Sequence, residues 1–155
     1  IQGTIRENIT YGVHRAFTEE ELVDAAKKAK AYNFIQEKEN GFDTQISRFD
    51  NKYSGGEMQR IAIARMILKR PEILIMDEAT SGIDVISEHE VMEALMNLMA
   101  GKTVIMVSHD MEMIRRADNL IVLNGGQVEA SGDFHQVAAA SPLFQAFLEK
   151  GGCLV

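Results

Sequence analysis

The sequence predicts an α/β protein, with a helical block over residues 1–70 followed by part of a sheet domain over residues 71–155. Helix-capping patterns and helical spacing dominate the first stretch. In the second, short runs rich in Ile, Val and Leu alternate with helical segments, the order of an α/β sheet domain rather than of segregated elements. A tight turn signal, Asn124-Gly125-Gly126, joins two of these runs and predicts a small antiparallel appendage.

The elements follow in order. Thr18-Glu19-Glu20-Glu21 has capping-box spacing, and Leu22, Ala25, Ala26 and Ala29 then recur on one helical face. A short helix is expected from Tyr32 to Lys38, ended by the turn-forming pair Asn40-Gly41. A third begins near Gly56, shows Met58, Ile61, Ala62, Arg65, Met66 and Leu68, and stops before Pro71. Strands are expected at Ile73–Met76, Thr103–Val107, Asn119–Leu123 and Gln127–Ala130. Between the first two, Ser87-Glu88-His89-Glu90 is expected to cap a helix with an apolar stripe of Val91, Met92, Leu95, Met96 and Met99. Two closing helices open at Asp133 and at Ser141-Pro142, with serine as cap and proline in the first helical position.

A chain of 155 residues, 46% hydrophobic and 25% charged, is long enough for a domain with a real core. Sixteen basic against 23 acidic residues leave a net charge of −7, which argues against a broad basic face for nucleic acid. The single cysteine, Cys153, has no partner for an internal disulfide, so a reducing compartment is the simplest expectation. No apolar run approaches the ~20 residues needed to span a bilayer. The start, Ile1-Gln2-Gly3-Thr4, has neither an initiator methionine nor a signal-peptide core, and it begins in mid-pattern. A soluble piece of a longer polypeptide is therefore expected.

Three places carry chemistry. The run Ile73–Met76 ends in Asp77 and Glu78, and in open α/β sheets ligands sit beyond the carboxyl ends of strands. Alternate side chains point to opposite sides, so one carboxylate can hold Mg²⁺ while the next orients or deprotonates a water for attack on a phosphate. Taken alone, the pair is equally consistent with a helix cap or a turn. Second, Tyr53-Ser54-Gly55-Gly56-Glu57 precedes the long helix; glycines let a ligand approach, the helix N-terminus offers free N–H groups, and Ser54 adds a hydroxyl. A simple glycine turn is the commoner meaning of such a stretch. Third, Ser108-His109-Asp110 follows the strand Thr103–Val107, where His109 could reach the same ligand edge as Asp77 and Glu78. His14, His89 and His135 lack partners at metal-ligand spacing and are read as structural. Ala100-Gly101-Lys102-Thr103 imitates the tail of a phosphate-binding P-loop, but Met96 stands where the first glycine is required, and the segment runs from helix into strand.

Together and in this order these motifs resemble the nucleotide-binding domain of ATP-binding cassette (ABC) transporters of the exporter type. Tyr53-Ser54-Gly55-Gly56-Glu57 resembles the signature, usually Leu-Ser-Gly-Gly-Gln, and Met58–Arg65 continues it. Ile73–Glu78 resembles the Walker B strand, Ser81-Gly82-Ile83-Asp84 the D-loop, and His109 falls at the switch histidine. Residues 3–12 resemble the segment after the glutamine loop, whereas the Walker A loop, the adenine-stacking aromatic and the glutamine loop itself have no counterpart. The resemblance thus implies the C-terminal part of a P-loop NTPase (RecA-like) sheet domain preceded by the helical signature subdomain.

It further implies ATP and Mg²⁺ as ligands: Asp77 supporting the metal, Glu78 as base or water-positioning residue, and His109 at the γ-phosphate. Ser54, Gly55, Gly56 and Glu57 would meet ATP held mainly by a second nucleotide-binding domain in a head-to-tail dimer, with Asp84 at that interface. The other implied partner is the transmembrane domain of the parent transporter, which places this domain on the cytoplasmic face of the membrane; no nucleic acid is implied. The chain by itself is expected to bind ATP weakly and hydrolyse it poorly, having no P-loop lysine or amide nest.

Tyr53 and Glu57 depart from the usual leucine and glutamine, and Glu57 brings negative charge to a phosphate site. Before the signature, Thr44-Gln45-Ile46-Ser47-Arg48-Phe49-Asp50 keeps the threonine and an aliphatic residue of the exporter pattern Thr-x-Val-Gly-Glu-x-Gly but not its other positions. The same motifs are also compatible with a soluble, non-transport ABC ATPase or with a signature-bearing interaction fragment.

Overall fold

The computed structural model describes residues 2–46, 53–78 and 85–151. These fall into two compact units, those within Ile1–Ile75 and Thr80–Ile105 and those within Met76–Ala79 and Met106–Val155.

The first unit is mainly helical. Strand β1 (Gly3–Thr4) leads into α1 (Ile5–Thr10), followed by α2 (Glu19–Lys28), α3 (Tyr32–Gln36), a 3₁₀ turn over Gly41–Asp43, β2 (Gln45–Ile46) and α4 (Gly55–Lys69). Most of strand β3 (Ile73–Asp77), helix α5 (Val85–Met99) and the first part of β4 (Thr103–Val107) complete it. Thr4 and Thr18 each open a helix with a complete capping box, to Glu7 and Glu21. Helix α4 ends at Lys69 because Arg70 takes the left-handed conformation, φ 52°, immediately before Pro71; the residue before proline is disfavoured in the right-handed helical region. Its body packs against α1, α2 and α5. Ile5, Ile9, Leu22, Ile35, Ile61, Leu68, Val91 and Leu95 form the dry interior.

Several features differ from expectation. Helix α1 and the antiparallel pair β1–β2, with Gly3 opposite Ile46, were not expected; two-residue strands have no readable period. Helix α5 starts at Val85, so Ser87 lies in its first turn rather than capping it. Its buried stripe is Val91, Ala94, Leu95 and Leu98, at helical spacing, whereas Met92, Met96 and Met99 are only partly covered. Helix α3 ends at Gln36, short of Lys38.

The second unit carries the ends of β3 and β4, then α6 (Met111–Arg116), β5 (Leu120–Asn124), β6 (Gln127–Gly132), α7 (Phe134–Ala140) and α8 (Pro142–Glu149). Strands β5 and β6 pair antiparallel with a register irregularity between Val122 and Leu123; β5 lies one residue later than expected, and β6 starts at Gln127 as expected but runs on to Gly132. Gly125 and Gly126 have φ values of 56° and 78°, the double positive φ that a two-residue hairpin of type I′ requires. Asp133 caps α7 reciprocally with Gln136, and Ser141 caps α8 with Pro142 in its first turn. Ala130, Val137, Phe144 and Phe147 make this unit's core, with Phe134 edge-on to Phe144 at 5.5 Å.

Strands β3 and β4 are neighbours, and hydrogen bonds at their two ends rise together along both chains: Thr103 N–H to Glu72 O at 3.1 Å and Glu78 N–H to Val107 O at 3.0 Å. The strands therefore run parallel, and each ends at a chemistry-bearing loop. On β3, Leu74 and Met76 are buried while Ile73 and Ile75 turn outward, 60% and 80% exposed. No described helix is long and apolar enough to cross a membrane.

Candidate functional site

Asp77 is the last residue of β3 and is exposed. Glu78, next in the chain, has a positive φ of 45°, a conformation few glutamates adopt and one that costs about 1 kcal/mol. Such strain concentrates where a side chain must be aimed. The Glu78 amide is tied to Val107 O, so the residue after β3 is fixed against the end of β4.

His109 lies two residues beyond β4. Ser108 Oγ accepts the Asp110 N–H at 3.0 Å, and the Asp110 carboxylate accepts Glu112 N–H at 2.8 Å and Met113 N–H at 3.4 Å, capping α6. These local bonds hold the turn on which the imidazole stands, with Nδ1 3.7 Å from Glu78 Oε1. That separation is longer than a hydrogen bond but short enough for a rotamer change to close. Both side chains are about half exposed, 44% and 54%, so a phosphate or water could reach them. Asp77, Glu78 and His109 thus share one unit and one pair of strand ends. The flanking Ser108 and Asp110 were not singled out as turn-holding residues, although Ser-x-Asp followed by a helix is a readable capping pattern.

Ser54, Gly55, Gly56 and Glu57 open α4 in the other unit. Ser54 Oγ accepts Glu57 N–H at 3.1 Å, and Glu57 Oε2 accepts Ser54 N–H at 2.8 Å. The box satisfies two of the helix's first four amides and leaves Gly55 N–H and Gly56 N–H without an acceptor in the bonds among the described residues. Because the Ser54 hydroxyl serves as an acceptor here, its proton stays free to donate. An anion at this end would meet two amides, one hydroxyl and the positive end of a 15-residue helix. Glu57 Oε1 faces Lys38 Nζ at 3.7 Å, a partner with no sequence signal because it comes from the turn after α3. Asp84, with the rest of Ser81–Asp84, lies outside the described residues.

Residues 2–81 match the ABC transporter family. The chain belongs to that family. It is 40% identical over 148 residues to an ATP-dependent lipid A-core flippase of Francisella tularensis subsp. tularensis (strain FSC 198), covering 96% of this chain and 24% of that protein. It is 43% identical over 141 residues to ABC transporter B family member 14 of Arabidopsis thaliana, covering 91% of this chain and 11% of that protein. The flippase of Francisella novicida is 39% identical over 147 residues, 95% of this chain and 25% of the relative. This ABC transporter chain thus spans about a quarter or less of the curated relatives it matches, and its mixed α/β architecture agrees with part of the family's ATPase domain.

Proposed function

We propose that this chain is part of the ATP-binding and ATP-hydrolysing domain of an ABC exporter, which couples hydrolysis to transport across a membrane. The observation that carries the reading is the pair of adjacent acids ending β3 with the His109 imidazole 3.7 Å from the second. Glu78 orients a water and accepts its proton as the water oxygen bonds to the γ-phosphorus; the bond from that phosphorus to the β-bridging oxygen breaks and ADP leaves. His109 donates a hydrogen bond to the γ-phosphate and steadies Glu78.

Among the described residues no three His, Cys, Asp or Glu side chains cluster as a metal cage. Mg²⁺ needs no such cage, since it keeps several waters and is held by one or two carboxylates together with the phosphates of a nucleotide. Asp77, exposed at the strand end, is the residue that would hold it, directly or through water. When bound, the ion supplies neutralisation of charge on the phosphate oxygens.

Ser54, Gly55 and Gly56 receive the γ-phosphate of ATP held mainly by a second nucleotide-binding domain in a head-to-tail dimer, with Glu57 closing the cap and Asp84 at the interface. The division into a helical signature part, residues 1–70, and an ATPase-core part, residues 71–155, belongs to this proposal, as do a transmembrane-domain partner and a place on the cytoplasmic membrane face. Taken by themselves, these residues supply a signature surface rather than a complete catalyst, since no Gly-x₄-Gly-Lys-Ser/Thr pattern occurs in them. Robust ATP turnover by the 155-residue chain would defeat that last statement.

The test of the main reading is Glu78→Gln in the full-length protein. ATP binding is expected to persist while turnover falls by about 10²-fold or more. Near-normal turnover would remove Glu78 from its role.

A further inference from the structure

The two positions at which this signature departs from the family's usual sequence, Tyr53 and Glu57, converge on one lysine. Lys38 stands in the turn after α3, its amide bonded to Ile35 O at 3.2 Å, so its backbone is pinned. Its ammonium lies 3.7 Å from Glu57 Oε1 and 5.0 Å from the centre of the Tyr53 ring. The Lys38 and Glu57 side chains are only 27% and 18% exposed, which keeps the pair at lower dielectric than a surface ion pair.

Glu57 performs two tasks that conflict electrostatically. Through Oε2 it holds the Ser54 amide and fixes the helix start, a task that a neutral glutamine carbonyl performs equally well. Its full negative charge also sits within one helical turn of the amides offered to an anion, and like charge there weakens phosphate binding. The lysine lies on the other carboxylate oxygen, where it offsets that charge without competing for the cap. Tyr53 gives the ammonium an aromatic face to rest on, which restrains its position.

We propose that Lys38 is a positioning residue for the signature: it neutralises Glu57 and holds it in its capping rotamer, so that a carboxylate can stand where a neutral amide is usual while the α4 N-terminus still accepts the γ-phosphate. Resting on the proposed function, this assigns Lys38, Tyr53 and Glu57 as one charge-balanced unit.

Steady-state ATPase kinetics of the full-length protein test it. Lys38→Met is expected to raise the KM for ATP about threefold, the size of a partly exposed ion pair, with a smaller change in kcat. Lys38→Arg should keep KM near the wild-type value, and adding Glu57→Gln to Lys38→Met should bring it back, because the charge needing an offset is gone. The rise in KM should also shrink at high ionic strength, which a purely structural role would not produce. An unchanged KM in Lys38→Met overturns the proposal, as does a double variant no better than the single one. If the wild-type full-length protein hydrolyses no ATP, the functional reading itself fails and this inference with it.

Discussion

At Arg60 a guanidinium that is 5% exposed has two partners of different kinds, the Glu90 carboxylate and the Phe34 ring, whose centre lies 5.2 Å away. The partners are unequal in burial, since the Glu90 side chain is 52% exposed. Removing Arg60 returns a carboxylate to water, whereas removing Glu90 leaves a buried cation with only the ring. Glu90→Ala should therefore destabilise the chain more than Arg60→Met, by about 2 against about 1 kcal/mol, in urea unfolding; the reverse order would show that the pair is not what keeps Arg60 inside. Glu129 makes a pH-dependent contribution in the other unit. The Ser141 hydroxyl, the Asn124 amide and the Leu143 N–H hold its carboxyl below the ordinary glutamate range. A lowered pKa means stability that is present at neutral pH and lost as pH falls through the lowered value. In acid titrations followed by circular dichroism, Glu129→Gln should flatten that limb of the profile. Asp77, Glu78 and His109 could be placed from the sequence because each stands at or just past a strand end that local spacing marks; the capping of α4 by Ser54 was not foreseen, although Ser54-x-x-Glu57 has capping-box spacing. Lys38 and Glu90 could not, because their partners come from elements distant in the chain.

Helix α4 shows the same division within one element. Its stop was readable from Pro71, whereas its start lies one residue before the expected Gly56, behind a Ser54-x-x-Glu57 box, and its buried residues, Gly56, Arg60, Ile61, Ile63, Ala64 and Leu68, lie on one broad face of the helix. Ala62, expected inside, falls on the opposite side of the helix and is exposed, because spacing alone did not say which side α1, α2 and α5 would cover. Helix α1 was missed despite its Thr4-x-x-Glu7 box because six residues are too few to show a period. The cap on α4 can be tested apart from its proposed ligand. Ser54→Ala should cost about 1 kcal/mol in thermal or urea unfolding of the 155-residue chain, with no nucleotide present. A cost near zero would mean that the glycines, rather than the hydroxyl, set the helix start.

For the molecule as a whole, outward-facing strand residues dominate behaviour in solution. Ile73, Ile75 and Ile105 in the first unit and Ile121, Leu123 and Val128 in the second are 57–80% exposed, far more apolar strand surface than a monomer usually shows to water. The 155-residue chain should therefore associate with rising concentration in sedimentation velocity, and Ile75→Lys should reduce that association with little change in stability. A chain that stays monomeric at about 100 µM would show that these faces are not adhesive. The sequence marked the strands as apolar but carried no signal for which of their faces would be left bare.

Among the described residues, helices α1, α2, α4 and α7 open on boxes closed between residues three apart. Contacts that short need no loop closure, so in folding these starts can form before any distant packing. The capped end of α4 is thus written into a few consecutive residues, while the body behind it waits for α1, α2 and α5 to arrive.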